Sequence, residues 1–241
     1  MNRLFSMDNK FFVFMGRVAD LCLLNILCLI CCIPIITAGA SLTALFYVTL
    51  KMVRNEEAYI IRSFFKSFKE NFKQATIINI IMLVAAALLY LDTTISRSMA
   101  APMSQVMGLI FAVFSLIFAM IFLYVYPLLA KFYNSIKNTF RNALLMSIRH
   151  LPYTILMLLV SLCPLLVFFI PTIQVQMTVI LLLVFFGVAV VAYVNSIFFV
   201  KIFDKYIPEE EGAETAGEPG AISAAGASGE PGKNGKDGSL S

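Results

Sequence analysis

The stretch ASLTALFYVTLKMV, residues 40–53, decides how many times this chain crosses a membrane. Its fourteen residues are apolar enough for lipid but reach only ~21 Å at ~1.5 Å rise per residue. A hydrocarbon core is ~30 Å thick and a helix needs ~20 residues to span it. The runs around it are less ambiguous. Residues 21–36, 75–91, 106–130, 151–170 and 177–200 contain no Lys, Arg, Asp or Glu, and each is close to or beyond spanning length. With 60% hydrophobic residues, 13% charged and a mean hydropathy of +0.89, a water-soluble fold would have no polar shell to cover it. The expected class is therefore all-α, a polytopic transmembrane helical bundle. Its helices are predicted near 18–36, 40–53, 75–92, 105–130, 151–171 and 177–200: six if 40–53 spans, five if it does not.

Charge placement bears on that choice. If 40–53 crosses, residues 1–17, 51–74, 131–150 and the start of the C-terminal segment all fall on one side. That side then carries fifteen basic residues, and the other carries Arg97 alone. If it does not cross, Arg3, Lys10 and Arg17 change sides and the contrast falls to twelve against four. Lys and Arg accumulate on the cytoplasmic side of membrane proteins, so six crossings with both termini in the cytoplasm are expected. The net charge of +4 is explained by this flanking pattern, and no nucleic-acid partner is expected. The apolar stretch after Arg17 is longer than a signal peptide's and shows no small-x-small cleavage site, so it reads as a retained first helix. The outer connections on this scheme are short: 37–39, 92–105 and 171–176.

Two inner segments are amphipathic. Ile61, Phe64, Phe65, Phe68 and Phe72 recur at helical spacing, with Arg62, Lys66, Lys69 and Lys73 on an adjacent stripe. An aromatic face beside a basic one suits a helix lying at the cytoplasmic membrane surface, or a face that docks into an acidic partner. FFKSFKENFKQA (64–75) also aligns without gaps on FYNSIKNTFRNA (132–143), an offset of 68 residues. Phe64, Ser67, Lys69, Phe72 and Ala75 fall on Phe132, Ser135, Lys137, Phe140 and Ala143, as a duplicated helix–amphipath–helix unit would give. Beyond Pro208 the composition shifts. Residues 208–241 hold eight of the twelve glycines and no aromatic residue, so a disordered Gly/Pro-rich tail is expected there.

The inventory of reactive groups is thin, and no enzymatic activity, cofactor or metal is expected. The single histidine, His150, stands beside Arg149 and Pro152 at a membrane boundary, and no HExxH, GxSxG or Walker-type pattern occurs. Cys28 and Cys31 share a helix face but lack two further ligands nearby, so the five cysteines read as small apolar packing residues. Polar groups inside apolar runs are the better lead, because each is costly in lipid unless satisfied. Asp20 lies within reach of Arg17 one turn earlier. Asn25, Asn79 and Asn195 sit in three different predicted helices. With Asp20 they form a candidate intramembrane polar cluster, either hydrogen-bonding helices together or lining a polar path.

MGRVADL (15–21), CIPIITAGASLTALFYVTLKMVRNEE (32–57) and SFFKSFKENFKQA (63–75) resemble the YesL family of bacterial membrane proteins. Gly16, Arg17, Asp20, Pro34, Thr37, Gly39, Lys51, Arg54 and Asn55 bear the match. The resemblance is specific over roughly the first 75 residues, rests on helix pattern and length farther on, and excludes the segment after Pro208. It implies a multi-pass protein of a Gram-positive cell membrane, of uncharacterised molecular function. Genes of such proteins often lie beside those for carbohydrate ABC transport and sugar utilisation. No catalytic residue is carried over. Together with the amphipathic segments it leads to an accessory or regulatory partner of a sugar ABC uptake system. Such a partner would dock through Phe64, Phe68, Lys69 and Phe72 and, in the second copy, Phe132, Lys137 and Phe140. The alternative is a small transporter or channel whose polar path runs along Asp20, Asn25, Asn79 and Asn195.

Overall fold

The helix that was too short on sequence is the most enclosed one in the structure. In the computed structural model, which describes residues 10–56 and 59–206, α2 runs Ala38–Val53 and follows a 3-10 turn over Ile35–Thr37. Sixteen α-helical residues give ~24 Å and the 3-10 turn adds ~6 Å, so the pair reaches across a bilayer core. Pro34 has no N–H to continue the preceding helix, α1 (Lys10–Cys32). The Thr37 hydroxyl donates to the Cys31 and Pro34 carbonyls at 2.7 and 2.9 Å, satisfying backbone acceptors that the helix end leaves open. Ten residues of α2 are buried, among them Ser41, Thr43 and Thr49, whose hydroxyls all find acceptors or a partner hydroxyl. Thr49 meets Ser196 at 2.8 Å.

The C-terminal end of α2 is closed by backbone geometry. Asn55 takes a positive φ of 56°, and its N–H bonds the Met52 carbonyl while that of Glu56 bonds Lys51. This paired reversal ends a helix by turning one residue left-handed, a conformation asparagine tolerates better than most residues.

Helix α3 (Ile60–Ser98) has 39 residues, ~58 Å, far more than a bilayer core requires. Its first turns are the amphipathic segment. They extend straight from the span and do not form a separate helix lying on the membrane surface. The reason is local: no Gly or Pro occurs between Ile60 and Ser98 to break the ladder. The second copy behaves differently. Helix α4 (Met103–Lys131) ends, residues 132–135 are non-helical, and Ser135 caps α5 (Ile136–Arg149) by accepting from the Asn138 N–H. A break at His150 separates α5 from α6 (Leu151–Leu162), because the Pro152 ring has no N–H and would meet the carbonyl four residues earlier. The echo at 64–75 and 132–143 therefore marks two segments that both lead into a membrane helix, with different backbone conformations at Ser67 and Ser135.

After α6, a 3-10 stretch over Cys163–Phe169 completes that crossing. The last crossing joins α7 (Ile173–Leu182), a π-helical turn over Leu183–Gly187, and α8 (Val188–Phe203). Every regular element among the described residues is helical, and six helices are long and apolar enough to cross a membrane. Large apolar side chains such as Leu109, Leu159, Leu166 and Phe168 are mostly exposed along these spans, a surface that suits lipid and not water. These helices belong to the unit that ends at Lys205, and the expected tail at 208–241 lies outside the described residues.

Candidate functional site

Two regions concentrate the chain's polar chemistry: one end of the bundle and the contacts between its helices. At the end, Arg17 of α1 donates to the Asn55 side chain and to the Tyr193 hydroxyl, the latter at 3.3 Å. Arg54 pairs with Asp204, the Gln74 amide donates to the Asn134 carbonyl, and the Phe132 ring stands 5.2 Å from Phe203. These contacts bring the beginning of α1, the end of α2, the first half of α3, the end of α4 and α8 together. Arg17 and Asn55 can meet only if α2 returns the chain to the end where α1 began, which is the six-crossing arrangement. A cavity of about 210 Å³ opens here, with Lys51, Arg54 and Lys131 on its wall beside Glu56 and Glu70. Lys51 lies over the Tyr47 ring at 5.0 Å.

The proposed docking residues divide by exposure. Phe64 is fully buried and stacks on Phe68, which in turn contacts Phe72. Phe68, Phe132 and Phe140 are half-buried, whereas Phe72, Lys69 and Lys137 are exposed. Phe65, which lies on the same aromatic stripe, and Tyr133, which was not among the proposed docking residues, are also exposed here. The helical period alone could not separate Phe64 from Phe65, since both flank the same stripe. His150 sits at the boundary between α5 and α6. Partial burial, with Lys205 and Arg149 nearby, pushes its imidazole below the ordinary histidine value.

The intramembrane polar residues do not gather into one cluster. Asn25 reaches the π-helical turn of the last crossing. Its Nδ2 donates to the Val184 carbonyl at 2.6 Å, and its Oδ1 accepts from the Ala189 N–H at 2.8 Å. Val184 and Ala189 are five residues apart, the pair that a π turn would join directly, so the carboxamide is inserted into the ladder. Asn79 donates to the Ile35 carbonyl at 2.8 Å in the 3-10 turn and accepts from the Tyr126 hydroxyl at 3.1 Å. Gly39 makes that contact possible: a Cβ there would lie 2.7 Å from the Ala75 carbonyl oxygen and from Asn79 Cβ. Asp20 is half-buried, and among the described residues it makes no ion pair with Arg17, which turns to Asn55 and Tyr193.

Asn195 is the exception. It is 1% exposed, its Nδ2 donates to Ser161 Oγ at 2.9 Å, and its Oδ1 has no partner among the described residues. It lines a second cavity of about 470 Å³ bounded by α2, α4, α6 and the last crossing, with Phe46, Phe118, Leu158 and Ala192 on its wall. Sequence spacing gave no sign of it, because the cavity depends on how four helices pack.

The fold and these contacts define a six-span helical membrane protein whose basic residues crowd one end. Residues 21–93, covering the second half of α1, all of α2 and most of α3, match the model of a family described as "Protein of unknown function, DUF624". That is the part of the chain with Gly39, Asn55 and Asn79, so the matched stretch contains the closest helix–helix approach described above. No curated protein and no solved structure matches the chain.

Proposed function

We propose that this protein is an accessory subunit of a bacterial cell membrane, with its basic end in the cytoplasm and docked there to a carbohydrate ABC uptake system. The observation that carries the docking reading is the contrast between the interior and the basic end. Asn25 and Asn79 are engaged with backbone partners between helices, which weighs against a continuous polar path along them. The basic end, by contrast, presents Phe65, Phe72 and Tyr133 to solvent beside Lys66, Lys69 and Lys137. Exposed aromatics ringed by cations form a surface for a protein with an acidic, partly apolar patch. The cytoplasmic orientation follows from the positive-inside rule, and the kind of partner from the resemblance to the YesL family.

Affinity purification of the full chain in mild detergent should recover the same importer subunits repeatedly. Replacing Lys69, Phe72 and Tyr133 together with Ala should reduce that recovery about tenfold or more, as loss of two aromatic anchors does at other interfaces. Recovery of no importer subunit, with sugar uptake unchanged when the gene is deleted, would rule the reading out.

A further inference from the structure

We propose that the cavity among α2, α4, α6 and the last crossing binds a neutral lipid bearing a single hydroxyl group. This concerns the bundle interior and stands apart from the docking reading. Three features of the site point to that chemistry.

The first is the wall. None of the described residues lining the cavity is charged, and nearly all are aliphatic or aromatic. A charged headgroup would lose its hydration there with no counter-charge to replace it. The space, about 470 Å³, falls in the range of sites that enclose a small organic ligand.

The second is the one unmatched polar group. The Asn195 amide is buried with one end on Ser161 and the other without a partner. Turning the amide over exchanges the ends and leaves the vacancy, because Ser161 then donates to Oδ1 and Nδ2 is open. A hydroxyl both donates and accepts, so it satisfies either arrangement. Water is a poorer substitute, since an internal water typically makes about three hydrogen bonds and would find only Asn195 and Ser161 free to bond here. Besides Asn195 and Ser161 the wall offers only Tyr126, whose hydroxyl already donates to Asn79.

The third is access. Leu45, Phe46, Ala192 and Asn195 form a buried floor, while Phe122 and Leu162 at the rim are exposed on the flank of the bundle. All of these residues lie within membrane-spanning helices, so a ligand enters from lipid with its chain already in hydrocarbon.

The test uses the full-length protein in phosphatidylcholine nanodiscs and a photoreactive analogue of 1-hexadecanol. Labelling should map to peptides containing Leu158 and Asn195, and unlabelled 1-hexadecanol should compete roughly tenfold better than hexadecane, the value of one buried hydrogen bond. Asn195→Leu should erase the preference for the alcohol. Leu158→Trp, at a half-buried wall position, should fill the space and suppress labelling by either probe. Equal competition by the alkane would mean that any acyl chain fills the groove, and would overturn the proposal. So would labelling elsewhere, or a preference that survives in Asn195→Leu. The ratio of the two competitors on the natural chain requires no variant, so the result stands even if Asn195→Leu does not fold.

Discussion

His150 is the chain's only histidine, so its titration can be followed by NMR without assignment. Burial and the neighbouring Lys205 and Arg149 favour the neutral ring, which places its midpoint below the ordinary value of about 6.5. The unfolded chain then binds the proton more readily than the folded one, so stability from this group is present above about pH 6.5 and declines as pH falls through the lower folded midpoint. The Cε1 proton should titrate with a midpoint under about 6.5, and Lys205→Ala should move it upward. A midpoint above that value in the natural chain would contradict the placement of the ring. None of this was legible in RHLP, where the lysine fifty-five residues away could not be seen to approach. The asparagines were legible only as expensive residues. Their separate partners depend on irregular backbone at Ile35–Thr37 and Leu183–Gly187, which hydrophobic pattern does not reveal.

Between elements, the close approach of α2 to α3 rests on Gly39. The sequence placed it in a short outer connection at 37–39, but the residue lies inside a helix with α-helical backbone, and its role is to let α3 come near. In Gly39→Ala the new methyl meets a backbone oxygen at 2.7 Å, which no side-chain rotation relieves. The helices must separate, at an expected cost of about 1–3 kcal/mol, read by equilibrium unfolding in mixed micelles. An unchanged midpoint would mean that the two helices do not pack at this distance. The spans themselves were easy to read, because neutral runs of twenty residues have few other uses. Their ends were not. The first turns of α3 looked like an independent surface helix since the polarity changes near Ala75, yet polarity does not by itself interrupt a backbone ladder, and no Pro or Gly stands there to weaken it.

For the whole molecule, the contacts at the basic end set a topology that can be checked from outside. Reporters fused after Val53 and Lys137 should report one side of the membrane, and a reporter after Ser98 the other. Val53 and Lys137 on opposite sides would be incompatible with the contacts of Arg17 with Asn55 and Gln74 with Asn134. The number of crossings was within reach of charge counting, whereas the cavity was not, because it is a space left by four helices and no single segment encodes it. The carboxamide inserted at Val184 and Ala189 also has a bearing on biogenesis. Asn25 of α1 supplies the donor and acceptor that the turn at Leu183–Gly187 lacks, across about 160 residues of intervening chain. Until Val184 and Ala189 have been made that amide lacks these two partners, so α1 must wait in the bilayer for the later helix to meet it.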